Sequence, residues 1–193
     1  MNIILLNSIL VLFAASIISH ADDLSSKTLD DFNKTQAAGT WKSVNDGVMG
    51  GLSQGGPKVS KQRNLVFKGD ISLENNGGFS SIRTGGKTMD LSNYDGIEIK
   101  VKGDGRMYYL TTRSNGRRML AYWSPIQPPK DEWVVIRIPF DSFYATYFGK
   151  KLPALKLNTR KVTSIGFMLY DKKAGPFAIE AEYMKAYKDV KVD

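Results

Sequence analysis

The chain has 193 residues, a formal net charge of +8, no cysteine and a single histidine, His20. Its length suits one domain with a sizeable core, and the missing cysteines exclude disulfides and thiolate metal sites. If His20 is removed with a leader, Ser-His-Asp triads, imidazole zinc sites and haem ligated by His are excluded too. The positive charge favours acidic partners such as anionic lipid, acidic protein faces or polyanionic glycans, or it serves solubility alone.

Residues 1–21 are predicted to form a secretory signal peptide. They contain no charged side chain, and Ile9 to Ile18 is apolar except for Ser16. Small residues, Ser19 and Ala21, precede a cleavage site after Ala21. We therefore expect residues 22–193 to form a single domain that is exported to the periplasm or beyond, with a retained membrane anchor as the alternative.

The next two segments differ in composition. Residues 24–38 predict an extended lead-in or a short helix. Residues 41–56 contain five glycines among a few large or hydrogen-bonding side chains. Because glycine tolerates positive φ and close backbone contacts, this segment is predicted to follow a path set by the rest of the fold.

From Asn64 onward the pattern is that of β-strands, with apolar and polar residues alternating. The predicted strands are 65–73, 97–101, 107–112, 133–138, 162–170 and 177–183. The break at Gly103-Asp104-Gly105 predicts a hairpin between 97–101 and 107–112, and residues 141–157 predict a long surface loop. About eight strands without a helical period indicate an antiparallel β-sandwich or jelly roll.

Motifs for cofactors and catalysis are missing. Gly103 and Gly105 are followed by Tyr108 where a dinucleotide motif needs a third glycine, so no nucleotide cofactor is predicted. Carboxylates such as Asp46 and Asp104 lie in turn sequences, where Asp commonly accepts hydrogen bonds from local backbone. An enzyme using carboxylates alone, or a structural Ca²⁺ held by Asp and Asn oxygens, are minority alternatives.

Aromatic residues beside arginines suggest a binding surface. Tyr108, Tyr109, Tyr122 and Trp123 lie on strands close to Arg113, a pattern suited to sugars or extended polyanions, or simply to one core-facing side of each strand. Met49 and Arg83 also need an explanation, since an arginine placed among apolar residues requires acceptors.

Several motifs together resemble the complex I intermediate-associated protein 30 family. They are Trp41, Asn45-Asp46-Gly47-Val48-Met49-Gly50-Gly51-Leu52-Ser53, Asn76-Gly77-Gly78-Phe79, Arg83, Gly103-Asp104-Gly105-Arg106 and Ala174-Gly175-Pro176-Phe177. One departure is Phe148, which stands where the family usually has an arginine. The resemblance implies a galactose-binding-like β-sandwich of jelly-roll type. It also implies a binding or assembly role without catalytic residues, because the mitochondrial members help to build respiratory complex I.

We therefore predict a non-enzymatic binding or assembly module with a protein partner, and an exported carbohydrate-binding protein as the alternative. No metal, cofactor or nucleic acid is expected. The candidate contact residues are Asp46, Met49, Ser53, Arg83, Tyr122 and Trp123. Structural roles are expected for Trp41, Gly47, Gly50, Gly51, Gly78, Phe79, Gly103, Asp104 and Gly105, with Trp41 and Met49 packed into the sandwich.

Overall fold

The computed structural model describes residues 26–32, 40–85, 88–115 and 119–189. Thirteen strands lie in these ranges, joined by turns and four short 3₁₀ segments. The strands are β1 Ser26–Asp30, β2 Trp41–Asn45, β3 Gln54–Val59, β4 Leu65–Ile71, β5 Ser80–Thr84, β6 Gly96–Lys102, β7 Tyr108–Ser114, β8 Leu120–Ile126, β9 Trp133–Pro139, β10 Tyr144–Tyr147, β11 Lys150–Lys151, β12 Val162–Leu169 and β13 Gly175–Tyr187. The 3₁₀ segments are Asp46–Met49, Glu74–Asn76, Phe140–Ser142 and Thr159–Lys161.

The strands form two antiparallel sheets. The six-stranded sheet has the order β3-β4-β13-β6-β9, with β1 also paired to β13, and the seven-stranded sheet has the order β11-β10-β8-β7-β12-β5-β2. The chain passes repeatedly between the sheets, since β2, β5, β7 and β12 belong to one and β4, β6, β9 and β13 to the other. This arrangement is a jelly-roll β-sandwich, so the predicted fold class is confirmed.

The core lies between the two sheets. Apolar side chains at alternate positions, such as Phe67 and Ile99 in one sheet and Ile82 and Phe167 in the other, are fully buried. This alternation is the reason that the sequence pattern predicted the strands, because successive side chains of a strand point to opposite faces.

The predicted hairpin between 97–101 and 107–112 is wrong. β6 pairs with β13 and β9, whereas β7 pairs with β12 and β8 in the other sheet. The segment between β6 and β7 therefore crosses from one sheet to the other. Asp104 holds the crossing by accepting hydrogen bonds from the Tyr108 hydroxyl at 2.9 Å and from the Ala178 N–H at 2.8 Å.

The predicted surface loop 141–157 is wrong in its middle. Residues 144–147 form β10, which pairs with β8 and places Ala145 in the core. β11 then pairs back on β10, with Tyr147 opposite Lys150. The lysines and aromatics of this segment resembled a loop because only four of its residues pair with β8 of the main sheet.

Of the predictions for residues 1–38, only those that fall on described residues can be compared with the structure. β1 agrees with the extended form of the lead-in, whereas the predicted signal peptide, residues 1–21, lies outside the described residues. Among the residues that are described, no helix is long and apolar enough to span a bilayer.

Candidate functional site

A cleft of about 510 Å³ lies on the outer face of the seven-stranded sheet, on the side away from the core. Its floor follows one row of cross-strand neighbours: Arg83 of β5 is opposite Gly166 of β12, which is opposite Thr111 of β7, which in turn is opposite Trp123 of β8. Met168 of β12 lies two residues further along the strand and also lines the cleft. The floor therefore combines arginine, hydroxyl, aromatic and thioether groups.

Exposed apolar residues stand at opposite edges of this sheet. On the β2 edge, Val48 and Met49 of the 3₁₀ segment are 73% and 60% exposed. On the β11 edge, Phe148 in the β10–β11 turn is 67% exposed. All three line the cleft, so its two sides present apolar surface to solvent.

Asp46 determines how the glycine-rich segment is held. Its side chain is fully buried and accepts hydrogen bonds from the backbone N–H groups of Ser53 at 2.9 Å, Gly78 at 2.7 Å and Phe79 at 3.1 Å. Burial alone raises the pKa of Asp46, but the hydrogen bonds outweigh it and hold the pKa below its usual value of 3.8. Both carboxylate oxygens are thus engaged by protein donors and not turned towards the cleft, so a ligand contact at Asp46 stays a prediction.

Ser53 and Tyr122 are likewise turned away from the cleft. The Ser53 hydroxyl donates to the Ser72 carbonyl at 3.1 Å and accepts from the Ser72 N–H at 3.0 Å. Tyr122 is 3% exposed and belongs to the core. It points to the opposite side of the sheet from Trp123, the next residue of β8. The structure therefore does not bring these two residues to the cleft, and a ligand contact at either of them stays a prediction.

Met49, Arg83 and Trp123 do line the cleft. The exposure of Met49 contradicts the expectation that it packs into the sandwich, whereas Trp41 is buried as expected and donates from its indole N–H to Asp30 at 3.0 Å. These three cleft residues remain candidate contacts.

The glycines of the glycine-rich segment are required for different physical reasons. A Cβ at Gly51 would lie 2.4 Å from the Cγ of Asp46, so only glycine fits beside the buried carboxylate. Gly50 has a φ of +89° and nothing near its missing Cβ, so its requirement is conformational.

The Trp123 ring stands between two tyrosines. Ring centroids are 5.3 Å apart for Tyr109 and Trp123 and 6.1 Å apart for Trp123 and Tyr170. The Lys172 ammonium lies 3.9 Å from the Tyr170 ring centroid. An aromatic cluster with a cation at its end thus forms part of the cleft wall.

Two arginines lie in the cleft close enough to affect each other. Burial lowers the pKa of Arg83. Burial, together with the charge of Arg83, lowers the pKa of Arg113 to about 10. Among the described residues that line the cleft, three are cationic and none is acidic.

Sequence reasoning missed several cleft residues, including Met119, Phe148, Met168 and Lys172. Met168 was assigned to a strand buried on both faces, although it is only partly buried and faces the cleft. The alternation of Tyr109, Thr111 and Arg113 along β7 was a usable signal, because it puts all three on one face.

Within the described ranges, no group of three or more acidic or imidazole side chains comes together to hold a metal ion. The carboxylates of Asp46 and Asp104 are engaged with N–H and hydroxyl donors instead. The Ca²⁺ alternative has no support from these residues.

These features define the class of the protein: a galactose-binding-like jelly-roll domain with an open cleft on one sheet face. The sequence model of complex I intermediate-associated protein 30 (CIA30) matches residues 30–181. The chain therefore belongs to the complex I intermediate-associated protein 30 family, as its motifs predicted.

Three curated relatives carry the name complex I intermediate-associated protein 30, mitochondrial. The mouse protein is 25% identical over 82% of this chain, the Drosophila melanogaster protein 32% over 50%, and the Neurospora crassa protein 29% over 64%. The chain spans 55%, 36% and 51% of their respective lengths. The mitochondrial location of these relatives contradicts the predicted export, which is wrong.

Solved structures share the fold. A family 11 carbohydrate-binding module of a Clostridium thermocellum cellulase superposes with a TM-score of 0.65 at 19% identity, over 86% of this chain and 96% of the module. The Clostridium thermocellum module solved with a β-1,3-1,4-mixed-linked tetrasaccharide gives a TM-score of 0.64 at 20% identity, over 87% of this chain and 98% of the module. At this identity, the likeness establishes the architecture alone.

Proposed function

We propose that this chain is a non-enzymatic assembly factor that binds a segment of a partner protein in the cleft of the seven-stranded sheet. The observation that carries the proposal is the cleft itself, in a family whose relatives are named for association with complex I intermediates. Because those relatives are mitochondrial, we propose that the partner is a subunit or intermediate of the respiratory chain.

The surface of the cleft suits protein binding. Met49, Met119 and Met168 supply flexible, polarisable side chains, which adapt to partners of different shape. Exposed apolar side chains at both sides of the cleft are typical of an interaction site. They would be costly to keep exposed on a protein that binds nothing.

The same surface is poorly suited to catalysis. Its described lining residues contain no carboxylate, and the chain has no cysteine and no histidine apart from His20. General acid and base chemistry near neutral pH relies chiefly on these groups. This supports a role in binding.

Site-specific photo-crosslinking in cells that make the protein tests the proposal. A benzophenone amino acid replaces Met119, which is 50% exposed at the cleft, and in a matched control it replaces Val135, which is 54% exposed on β9 of the other sheet. We expect crosslinks to complex I subunits from position 119 only. Equal labelling from both positions, or no such subunit from either, would contradict the proposal.

A second candidate is carbohydrate binding, favoured by the Tyr109, Trp123 and Tyr170 cluster, because aromatic rings offer flat apolar faces to sugars. Titration calorimetry with a mixed-linkage β-glucan tetrasaccharide tests it. Binding at millimolar ligand that disappears in Trp123→Ala would support this function, and the absence of heat would remove it.

A further inference from the structure

We propose that the cleft selects an extended, largely apolar peptide carrying an acidic side chain, whose carboxylate is bound by Arg83. This inference rests on the proposed protein-binding function and names the chemistry of the partner segment. It commits to a partner polypeptide as the occupant.

The first argument is charge complementarity. Arg83, Arg113 and Lys172 line the cleft, while no Asp or Glu occurs among its described lining residues. A cationic, partly dehydrated surface strengthens charge-assisted hydrogen bonds to an incoming anion. A carboxylate would therefore be favoured over a neutral side chain at this point of the floor.

The second argument comes from a comparison with two arginines outside the cleft that are paired with carboxylates. Arg106 binds both oxygens of Asp171 at 2.7 and 2.9 Å, and Arg137 donates to Glu98 at 2.8 Å. Arg83, by contrast, has no carboxylate partner among the described residues. Since partly buried cations require acceptors, a ligand is the natural source of one.

The third argument is the position of Arg83 in the floor. Its neighbour on β12 is Gly166, whose own neighbour on β7 is Thr111. Because glycine has no side chain, nothing on β12 separates the side chains of Arg83 and Thr111. A Cβ at position 166 would lie 2.9 Å from the Cβ of Arg83. The missing side chain leaves the guanidinium open to the cleft, with a hydroxyl beyond it.

The surroundings of Arg83 explain why the anion should belong to a peptide. Met49 and Phe148 stand at opposite sides of the cleft, and Met168 lies on the floor. A free inorganic anion would leave these apolar groups uncovered, whereas apolar residues on both sides of an acidic residue would bury them. An extended chain can place such residues on both sides of the acidic one.

Peptide selection on the whole protein tests the inference. Random dodecapeptides displayed on phage are selected on immobilised wild-type protein, and the recovered peptides are sequenced. We expect Asp and Glu to be enriched severalfold at one position flanked by apolar residues. A synthetic peptide of the selected sequence should lose about tenfold or more in affinity when its acidic residue is replaced by the matching amide.

Two variants of Arg83 and one control test its role. Arg83→Gln should abolish the acidic preference, and Arg83→Lys should retain part of it because charge remains while the two-pronged geometry is lost. Arg160→Gln, an exposed arginine outside the cleft, should select as the wild type does. Thermal unfolding must show that all three variants remain folded.

The outcomes separate the inference from the proposed function. Peptides enriched without an acidic residue, or an acidic preference that survives in Arg83→Gln, would overturn the inference and leave protein binding in place. No enrichment of any peptide would count against both. Retardation of the protein by polygalacturonate in an affinity gel, without acidic peptides, would replace the peptide by an acidic glycan.

Discussion

Asp46 is the residue on which the shape of the glycine-rich segment depends. A single buried carboxylate joins this segment to the turn at Gly78 and Phe79 through N–H donors. The carboxylate oxygens replace water for three backbone groups, which would otherwise be buried without acceptors. Its role is to support the β2 edge of the cleft.

Replacing Asp46 by Ala is expected to lower the free energy of unfolding by about 3 kcal/mol, because buried N–H donors lose their acceptor. Urea denaturation measures the change. The exposed Asp70 on β4 provides the control, and Asp70→Ala should stay within about 0.5 kcal/mol of the wild type. Equal stability of both variants would show that the Asp46 carboxylate is dispensable.

Neighbouring glycines should respond differently to the same substitution. Gly51→Val should cost roughly 3 kcal/mol because its Cβ collides with Asp46. Gly50→Val should cost about 1–2 kcal/mol for its positive φ. Gly47, which has open space and no positive φ, is the matched control for thermal unfolding. Identical melting of all three variants would exclude close packing at Gly51.

At the scale of elements, the crossing between β6 and β7 is tied to the β12–β13 connection by one ion pair. Arg106 also donates to the carbonyls of Lys173, Gly175 and Pro176. The side chains of Arg106 and Asp171 are only 13% and 4% exposed. This pair brings together segments that are 65 residues apart in sequence.

The contribution of this ion pair should depend on pH. Although burial alone raises it, the pKa of Asp171 lies below 3.8 because Arg106 donates hydrogen bonds to the carboxylate. A carboxylate with a lowered pKa stabilises the fold above its usual pKa, and this stabilisation is lost as the pH falls through the lower folded value. We expect Asp171→Asn to cost about 3 kcal/mol at neutral pH and far less near pH 2.

Urea denaturation at both pH values, on wild type and Asp171→Asn, measures this difference. Exposed Asp141 lies outside the ion pair, so Asp141→Asn is the control. A cost that is the same at both pH values would show that the charge of Asp171 does not stabilise the fold.

The β10–β11 turn holds an exposed aromatic ring in a strained backbone conformation. Phe148 and Gly149 both have positive φ, 47° and 77°, in a two-residue turn that favours Asn-Gly. Phe148→Asn is therefore expected to raise the free energy of unfolding by up to about 1 kcal/mol and to weaken ligand binding.

Denaturation and peptide-binding measurements on Phe148→Asn test both parts. Phe148→Leu separates them, since it keeps an apolar side chain in the strained conformation and should bind better than Phe148→Asn without gaining stability. Unchanged binding in Phe148→Asn would show that this ring takes no part in the site.

At the scale of the whole molecule, the amino-terminal strand joins the two sheets. β1 pairs with β13 of one sheet, and Phe32, which follows it, packs against Trp41 at the start of β2 in the other, with ring centroids 6.1 Å apart. Phe32 is 1% exposed. The contact closes one end of the sandwich.

Phe32→Ala is expected to lower the free energy of unfolding by about 3–5 kcal/mol, because it removes a large buried ring at the contact between the sheets. Urea unfolding followed by circular dichroism and by tryptophan fluorescence should give coincident transitions, as for a single cooperative unit. Leu73→Ala, at a residue 46% exposed, is the control and should change little. Separate transitions would mean that the sheets unfold independently.

Six strands, β4, β6, β7, β9, β12 and β13, and much of the core could be predicted from sequence because each depends on a local pattern. Alternating residues in β6, β9 and β13 reported which side of each strand is buried, and the motifs around Asp46 identified the family. The export prediction also relied on a local pattern, in residues 1–21, and it failed against the mitochondrial relatives. A short apolar segment reflects hydrophobicity alone and does not specify a destination.

The site could be predicted only in part, because side-chain direction depends on strand pairing. Tyr122 and Trp123 are adjacent and similar in character, yet one lies in the core and the other in the cleft. Asp46 and Met49 share one motif, yet one is buried under N–H donors and the other is exposed. By itself, the sequence determined the fold class, the family and six of the thirteen described strands, since these follow from local periodicity and motif. Only the tertiary structure decided that β6 and β7 belong to different sheets, and that Arg83 and Arg113 share a cleft whose described lining residues include no acidic side chain. Both depend on contacts between residues far apart in the chain.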